Sequence, residues 1–451
     1  MATTQAHYVL LPLSTVDASI HIFELPGLYI FPPPKSSEIS YDLNQLQRSF
    51  VTLVDEDYPI FIVELHIDPS SGTVSVKQTP GARQQGGAGI RFETNPESSM
   101  TTEQAMETLS WEFIPSERDL TELIRLKGTL LSDGGLAIGL RATHSLFDGE
   151  AMFTFMKMWG HHYNGIVKEN RVVVNHDRHW LSGTGAPSMW PHAEFSHMMR
   201  KIMEVTTYGH SSEIIATDAE TMKPPSYVST NDAITALFTV SMTRAQGHDQ
   251  DVRAVTMVNA RRRLQPPLPD NYSGNAAFYS MSAHENGELL SESNQDGGVS
   301  PNTLAKVTRR IRASIPKHDD AYLRDAVNFL AEQKNVSSIQ PGSNFLFGHD
   351  VILTSWLHMG MHDADFAGTH PWYSGFLRSQ SMGLSTSRKL LKTMLGLMSV
   401  SFLIVRPWRS SRSSILGYHT FTSRERLDRV LGSKLDWTSN HNDVISRSKK
   451  L

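Results

Sequence analysis

The stretch "LAIGLRATHSLFDGEAMFTFMKMWG", residues 136–160, joins an apolar run to an amphipathic one through a histidine, an aspartate and a glycine. Leu136 to Ala142 is short and rich in aliphatic side chains, the pattern of a buried strand. Beyond Gly149, residues Met152, Phe155, Met156, Trp159 and Tyr163 recur at i, i+3, i+4, i+7 and i+11, which predicts a helix with one apolar face. A methionine and aromatic stripe of this kind is ordinary core, because those side chains fill irregular space. The stretch thus predicts strand, turn and helix, with His144 at the strand's end. An imidazole that is neutral near physiological pH can take the proton of an alcohol or amine as it attacks a carbonyl. Asp148 could orient that imidazole, hold the turn through a distant arginine, or cap the helix that follows. The short His-x-x-x-Asp pattern leaves all three open.

The rest of the chain mixes strands and helices. "HYVLLPL" reads as a strand, and "ASIHIFELPGLYIFPPP" as extended structure stopped by three prolines. Leu43, Leu46, Phe50 and Leu53 stand at helical spacing. "FIVELHIDPSSGTVSVKQ" predicts a hairpin around a Pro, Ser and Gly turn, and residues 81–89 ("GARQQGGAG") a flexible loop. After a looser region, Ser229 with Asp232 predicts a capped helix that Gly247 ends. Strands at "VRAVTMVNA" and "NAAFYSMSAH", a polar loop over 286–300, helices near 302–314 and 319–334, and strands at "DVILTSWLHM" and "VSFLIVRP" complete the expected order. We divide the chain into residues 1–190, a crossover over 191–226, and residues 227–451.

Composition narrows the function classes. The 451 residues are 39% hydrophobic and 20% charged, enough for a sizeable core. With 42 basic against 46 acidic residues the net charge is −4, without the basic excess of nucleic-acid binders. An anionic ligand must therefore meet a local cluster. There is no cysteine, which excludes disulfides, thiolate catalysis and cysteine-ligated metal. His358 and His362, with Asp363 and Asp365, have a spacing that could hold zinc on a helix, but Gly360 and a strand-like context oppose that reading, and no metal is expected. His161 and His162 read as a solvated helix end. No leader peptide is apparent, and the most apolar late window, Met394 to Val405, is too short to span a membrane, so a cytoplasmic monomer is expected.

Four motifs in order carry a resemblance. "HSLFDG" (residues 144–149), "STNDAITAL" from Ser229, "VNARRRLQPPLPDNYSGNAAF" (258–278) and "TSWLHMGMHDADFAG" from Thr354 resemble the H-x-x-x-D-G, STND, R-x-R-L…Y-x-G-N and TSW…DFGWG segments of the BAHD acyl-CoA-dependent acyltransferases, with a cast closer to the fungal members. The resemblance implies a two-domain, chloramphenicol-acetyltransferase-like α/β fold: mixed sheets flanked by helices, with a channel between the domains. It implies transfer of an acyl group from acyl-CoA, a co-substrate rather than a bound cofactor, to a hydroxyl or amine of a small acceptor, with neither nucleic acid nor a membrane span involved. His144 would be the general base, and no covalent acyl-enzyme or metal would be needed. Asp148 would be structural, turned away towards a distant arginine, and Gly149 would let the chain pass close to the ligand. Asp365 would pair with Arg261, or failing that Arg263. Thr354, Ser355 and the Trp356 indole become oxyanion candidates, and Ser229, Thr230, Arg261 and Arg263 candidates for CoA. "DFAGT" departs from the family pattern, which puts the loop's path in doubt; Trp372 could replace the missing bulk. Two other readings stand beside this one: a fold-sharing binding protein, and a condensation-type amide-forming enzyme, whose second histidine is here Thr143.

Overall fold

The computed structural model describes residues 8–197, 227–291, 298–343, 348–356 and 359–377. The first half runs β1 (Val9–Pro12), α1 (Thr15–Ser19), β2 (Glu24–Phe31), α2 (Leu43–Glu56), β3 (Glu64–Ile67), β4 (Val74–Gln78), α3 (Pro80–Gln85), β5 (Phe92–Asn95), α4 (Thr102–Thr108), β6 (Ile124–Leu130), β7 (Leu136–Thr143) and α5 (Gly149–Tyr163). The second continues with β8 (Phe195–His197), α6 (Thr230–Gln246), β9 (Val252–Asn259), β10 (Ala277–His284), α7 (Asn286–Leu290), α8 (Pro301–Ser314), α9 (Asp320–Glu332), β11 (Ile339–Pro341), β12 (Val351–Leu353) and β13 (Tyr373–Phe376).

β7 is the middle of a five-stranded sheet ordered β13-β2-β7-β6-β5, and every one of its residues is buried. Its side chains alternate between two cores: Leu136, Ile138, Leu140 and Ala142 face the cluster built with α2 and α5, while Ala137 joins Phe113 and Ile114 on the other side. Cover on both faces explains the nearly continuous apolar run, which Arg141 alone breaks with a charge. Gly139 belongs to the second face, where a Cβ would lie 2.0 Å from the Phe113 carbonyl oxygen. No larger residue allows that approach.

The stripe of α5 packs as expected, and more. Met152, Phe155, Met156 and Trp159 are fully buried, and so are Phe153 and Met158 on flanking faces. The Trp159 ring meets Phe50 edge-on at 5.4 Å and Phe366 at 5.5 Å, and its Nε1 donates to Leu46 O and Ser49 Oγ of α2. Because α2 covers the end of the helix too, His162 is not solvated. Its Nε2 lies 2.6 Å from Asp57 Oδ2, which corrects the reading from sequence.

The second half builds a smaller mixed sheet, β10-β9-β12, antiparallel between β9 and β10 and parallel between β9 and β12. α6 and α8 pack on it through Ala236, Val240, Val307 and Ile311. The halves are tied together by β13, which returns to the first-half sheet and pairs with β2, Tyr373 opposite Ile30; within the second half β8 pairs with β11. The fold is mixed sheets flanked by helices, as the sequence implied. Three local readings differ. Residues 80–85 are a helix and 86–89 a 3-10 turn instead of a loop, because Thr79 caps Ala82 N and Pro80 sits in the first turn. "DVILTSWLHM" is a strand only over β12, and the 286–300 loop starts with α7. "VSFLIVRP", the apolar window around Met394, and His358 lie outside the described residues. Among the described residues no helix is long and apolar enough to cross a membrane.

Candidate active site

The turn between β7 and α5 holds His144 at the seam between the halves. Its backbone N–H donates to Phe23 O at 2.9 Å, tying it to the start of β2. Its side chain meets the second half: Nδ1 is 3.0 Å from Asn275 Oδ1, and Asn275 Nδ2 donates back to His144 O at 2.8 Å. The residue keeps partial exposure although its neighbours Ser145 to Asp148 are buried. Burial pushes its pKa below the usual histidine value, against the pull of its own carbonyl, Asp148 and Asn275. At neutral pH the imidazole is therefore uncharged and able to accept a proton.

Asp148 does two of the three things its position allowed. It caps α5 by accepting Ala151 N at 3.1 Å, and it pairs with Arg261, whose two terminal nitrogens reach Oδ2 at 2.8 Å and Oδ1 at 2.9 Å. Ala276 N adds a fourth donor at 2.9 Å. Burial would raise the pKa of this carboxyl, but Arg261 and the amide donors outweigh it and hold it below the ordinary range. The His144 ring nitrogen is bonded to Asn275 and not to Asp148. Gly149 is simply the first helical residue, and a Cβ there would stand 3.3 Å from the Trp356 Nε1.

Asp365 does not pair with Arg261 or Arg263, contrary to the expectation from the motif. Asn164, just past α5, donates to Asp365 O and Oδ1 at 3.0 Å and accepts Ala367 N at 2.9 Å. The physical reason is burial: Asp365 is half-exposed, and an amide satisfies it, whereas fully buried Asp148 needs a counter-charge. The altered "DFAGT" still turns through the left-handed region, with Ala367 at φ +54° and Gly368 at +70°. It reaches α5 because Gly160 has no Cβ, which would sit 2.3 Å from Asp365 O. Phe366 fills the space against Phe31, Trp159 and Tyr163, while Trp372 is 42% exposed and does not replace the missing bulk.

The remaining candidates separate. The Trp356 indole packs on Phe153 and Phe376 at the start of α5, close behind the His144 turn, and Thr354 and Ser355 precede it, half-buried, after β12. Ser229 is spent on a capping box with Asp232, which Arg312 also holds at 2.6 Å, and Thr230 is exposed beside it. Arg263 donates to Ile315 O and His318 O past the end of α8. Arg261, committed to Asp148, has no free face for CoA. Among the described residues, Glu56, Asp57 and His162 bring ligand atoms within 4.8 Å of one another, but Arg171 already supplies their cation, its terminal nitrogen 2.5 Å from Glu56. Sequence reasoning assigned no role to Asn275, although it ends the quoted "YSGN"; nor did it single out Asp17, which accepts from it.

Comparison with known proteins shows the family. The model of the Transferase family matches residues 2–387. The chain is 25% identical over 393 residues to a hydroxycinnamoyl-CoA:piscidic acid hydroxycinnamoyltransferase of Actaea racemosa, covering 78% of this chain and 83% of that protein. It is 26% identical over 388 residues to a hydroxycinnamoyltransferase of Narcissus pseudonarcissus, covering 80% and 85%. In fold it is similar to F. graminearum TRI101 complexed with coenzyme A and T-2 mycotoxin, at a TM-score of 0.60 and 16% identity over 82% of this chain and 90% of that one. Vinorine synthase gives 0.53 and 18%, over 84% and 86%.

Proposed function

We propose, for a chain that belongs to the Transferase family of BAHD acyl-CoA-dependent acyltransferases, that His144 is the general base of its reaction. The reaction moves an acyl group from acyl-CoA to an acceptor hydroxyl. The observation that carries the assignment is the His144–Asn275 bond, which occupies Nδ1 and leaves Nε2 to meet a proton. In this reading Nε2 takes the acceptor O–H proton as the oxygen attacks the thioester carbonyl carbon. The carbonyl becomes an oxyanion, for which Thr354, Ser355 and the Trp356 indole are the donors we favour. Collapse of the tetrahedral intermediate breaks the C–S bond, and the CoA thiolate recovers the proton from the imidazolium. The ester and free CoA leave, and His144 is neutral again.

The exposed first turn of α6 at Thr230, with Arg312 and Arg263 nearby, is the region we assign to CoA in place of Arg261. As acceptors we favour hydroxyls of specialised metabolites over polyamine-type amines, a choice supported by the piscidic acid acceptor in the name of the Actaea relative. Residues 1–190 and 227–451 would act as the two lobes, as a monomer in the cytoplasm, where acyl-CoA is available.

The test uses an advantage of the composition. With no cysteine in the chain, every thiol detected in an assay comes from released CoA. Acetyl-CoA and a hydroxycinnamoyl-CoA are to be offered with a panel of alcohols and amines. His144→Ala is expected to lose at least about 100-fold in kcat while keeping its melting temperature and its binding of CoA. Wild-type kcat/KM is expected to fall on the acid side only below pH 6.5, the ordinary histidine value, since protonation of a depressed base comes late on acidification. A His144→Ala variant with wild-type turnover rejects the assignment.

A further inference from the structure

The base works only in one tautomer, with hydrogen on Nδ1 and a lone pair on Nε2. Neutral imidazole in water leans the other way, so something in the fold has to choose. Asn275 makes the choice at first hand, beside the residue's own carbonyl, but its amide could turn over and present N–H groups to Nδ1 instead.

What holds the amide is Asp17, a fully buried carboxylate on α1. Asp17 Oδ1 receives Asn275 Nδ2 at 2.7 Å and Asn275 N at 2.9 Å. Its Oδ2 receives Ser14 Oγ at 2.7 Å and faces the Arg178 guanidinium at 3.5 Å. A carboxylate beside a guanidinium only accepts, so the NH2 end of Asn275 must point at Asp17. Turning the amide over would bring Oδ1 to 2.7 Å from that carboxylate and 2.8 Å from His144 O, two repulsive contacts in a buried site. With Oδ1 then fixed on His144, Nδ1 must carry the hydrogen.

Arg178 reaches the site through a gap that depends on a glycine. A Cβ on Gly274 would lie 1.8 Å from the Arg178 terminal nitrogen and 2.6 Å from Tyr272 Oη. Arg178 lies over the Tyr272 ring at 5.7 Å and donates to Leu146 O in the His144 turn. Three residues of the "YSGN" stretch are thereby explained: Tyr272 as a ring beneath the guanidinium, Gly274 as a gap for it, and Asn275 as the amide that meets the base.

We infer that Asp17, neutralised by Arg178 and acting through Asn275, is a positioning residue that locks His144 in the Nδ1–H tautomer. The inference rests on His144 being the base. The test reads the tautomer directly, by 15N spectra of protein labelled at its 20 histidines, with the His144 signals assigned by their loss in His144→Ala. Wild-type protein is expected to show Nδ1–H at neutral pH. Asp17→Asn, and independently Asn275→Ala, are expected to show the Nε2–H form and a kcat lowered by between about 10-fold and about 10^4-fold, with KM for acyl-CoA changed less than about threefold. A wild-type Nε2–H signal overturns the inference, and needs neither Asp17→Asn nor Asn275→Ala to fold. So does a folded Asp17→Asn protein with unchanged tautomer and turnover. An active His144→Ala protein would instead remove the general-base reading beneath it.

Discussion

Asp148 and Asp365 carry the same functional group, and both sit in motifs that the sequence displays, yet they end in different company. Arg261 goes to the carboxylate that water cannot reach, and an amide suffices for the other. The motif order could not decide this, because the choice depends on how the loop after β9 meets the first turn of α5. What was legible was the need for a distant arginine behind Asp148, and the separation of its task from that of His144. We expect Arg261→Met to strand a buried charge and to cost about 3–5 kcal/mol in urea unfolding, with most activity per folded molecule retained. Adding Asp148→Asn to that variant should recover part of the loss, since the stranded charge is then gone. A single variant as stable as wild type contradicts the role given to the pair. Ala367 shows another limit of reading by motif. Its left-handed backbone, which strains any residue with a Cβ, preserves the turn that the missing glycine would have made easily.

At the scale of elements, α5 was readable from its helical period and β7 from its short aliphatic run. α3 was not, because the glycines of residues 81–89 outweighed a threonine and proline that mark a helix start. The segment before β8 held a feature without any local signature. His192 is fully buried at φ +44°, with Nδ1 2.8 Å from Glu194 and Nε2 2.9 Å from Asp325 of α9. Asp325 also accepts Met189 N and Trp190 N, so the imidazole is the centre of the clamp between this segment and α9. Burial alone would lower its pKa, but the two carboxylates overcome that and raise it above 6.5. A raised histidine pKa stabilises the fold fully below the unfolded value, and that contribution disappears as pH rises through the folded value. The stability that His192 adds, read as the difference between wild type and His192→Gln, is therefore expected to shrink on going from pH 6 to mildly alkaline pH. His192→Gln should be weaker by about 3 kcal/mol at pH 6 and should lose much of that pH dependence. Parallel stability curves for the two proteins would count against the clamp.

Over the whole molecule, a change of pattern near residue 190 suggested a division in two, but gave no sign of the connections that run across it. β13 comes from sequence with no special mark and closes the first-half sheet, and Asn275 and Arg261 complete a turn that belongs to the first half. Contacts across such distances leave no period in a sequence. Produced as separate chains, residues 1–226 alone are expected to lack a sharp thermal transition, and co-production with 227–451 should restore both the transition and thiol release. A sharp melt for the first piece alone would show that it is an independent domain. The same wiring sets a timetable during synthesis. Asp148 waits for a partner 113 residues further on, and His144 for one 131 residues on. At roughly 5–20 residues per second on the ribosome, the nascent first half spends several seconds or more with a carboxylate that has to stay wet. Its core next to the His144 turn cannot close in that interval, which makes this half a natural client for chaperones that bind emerging chains.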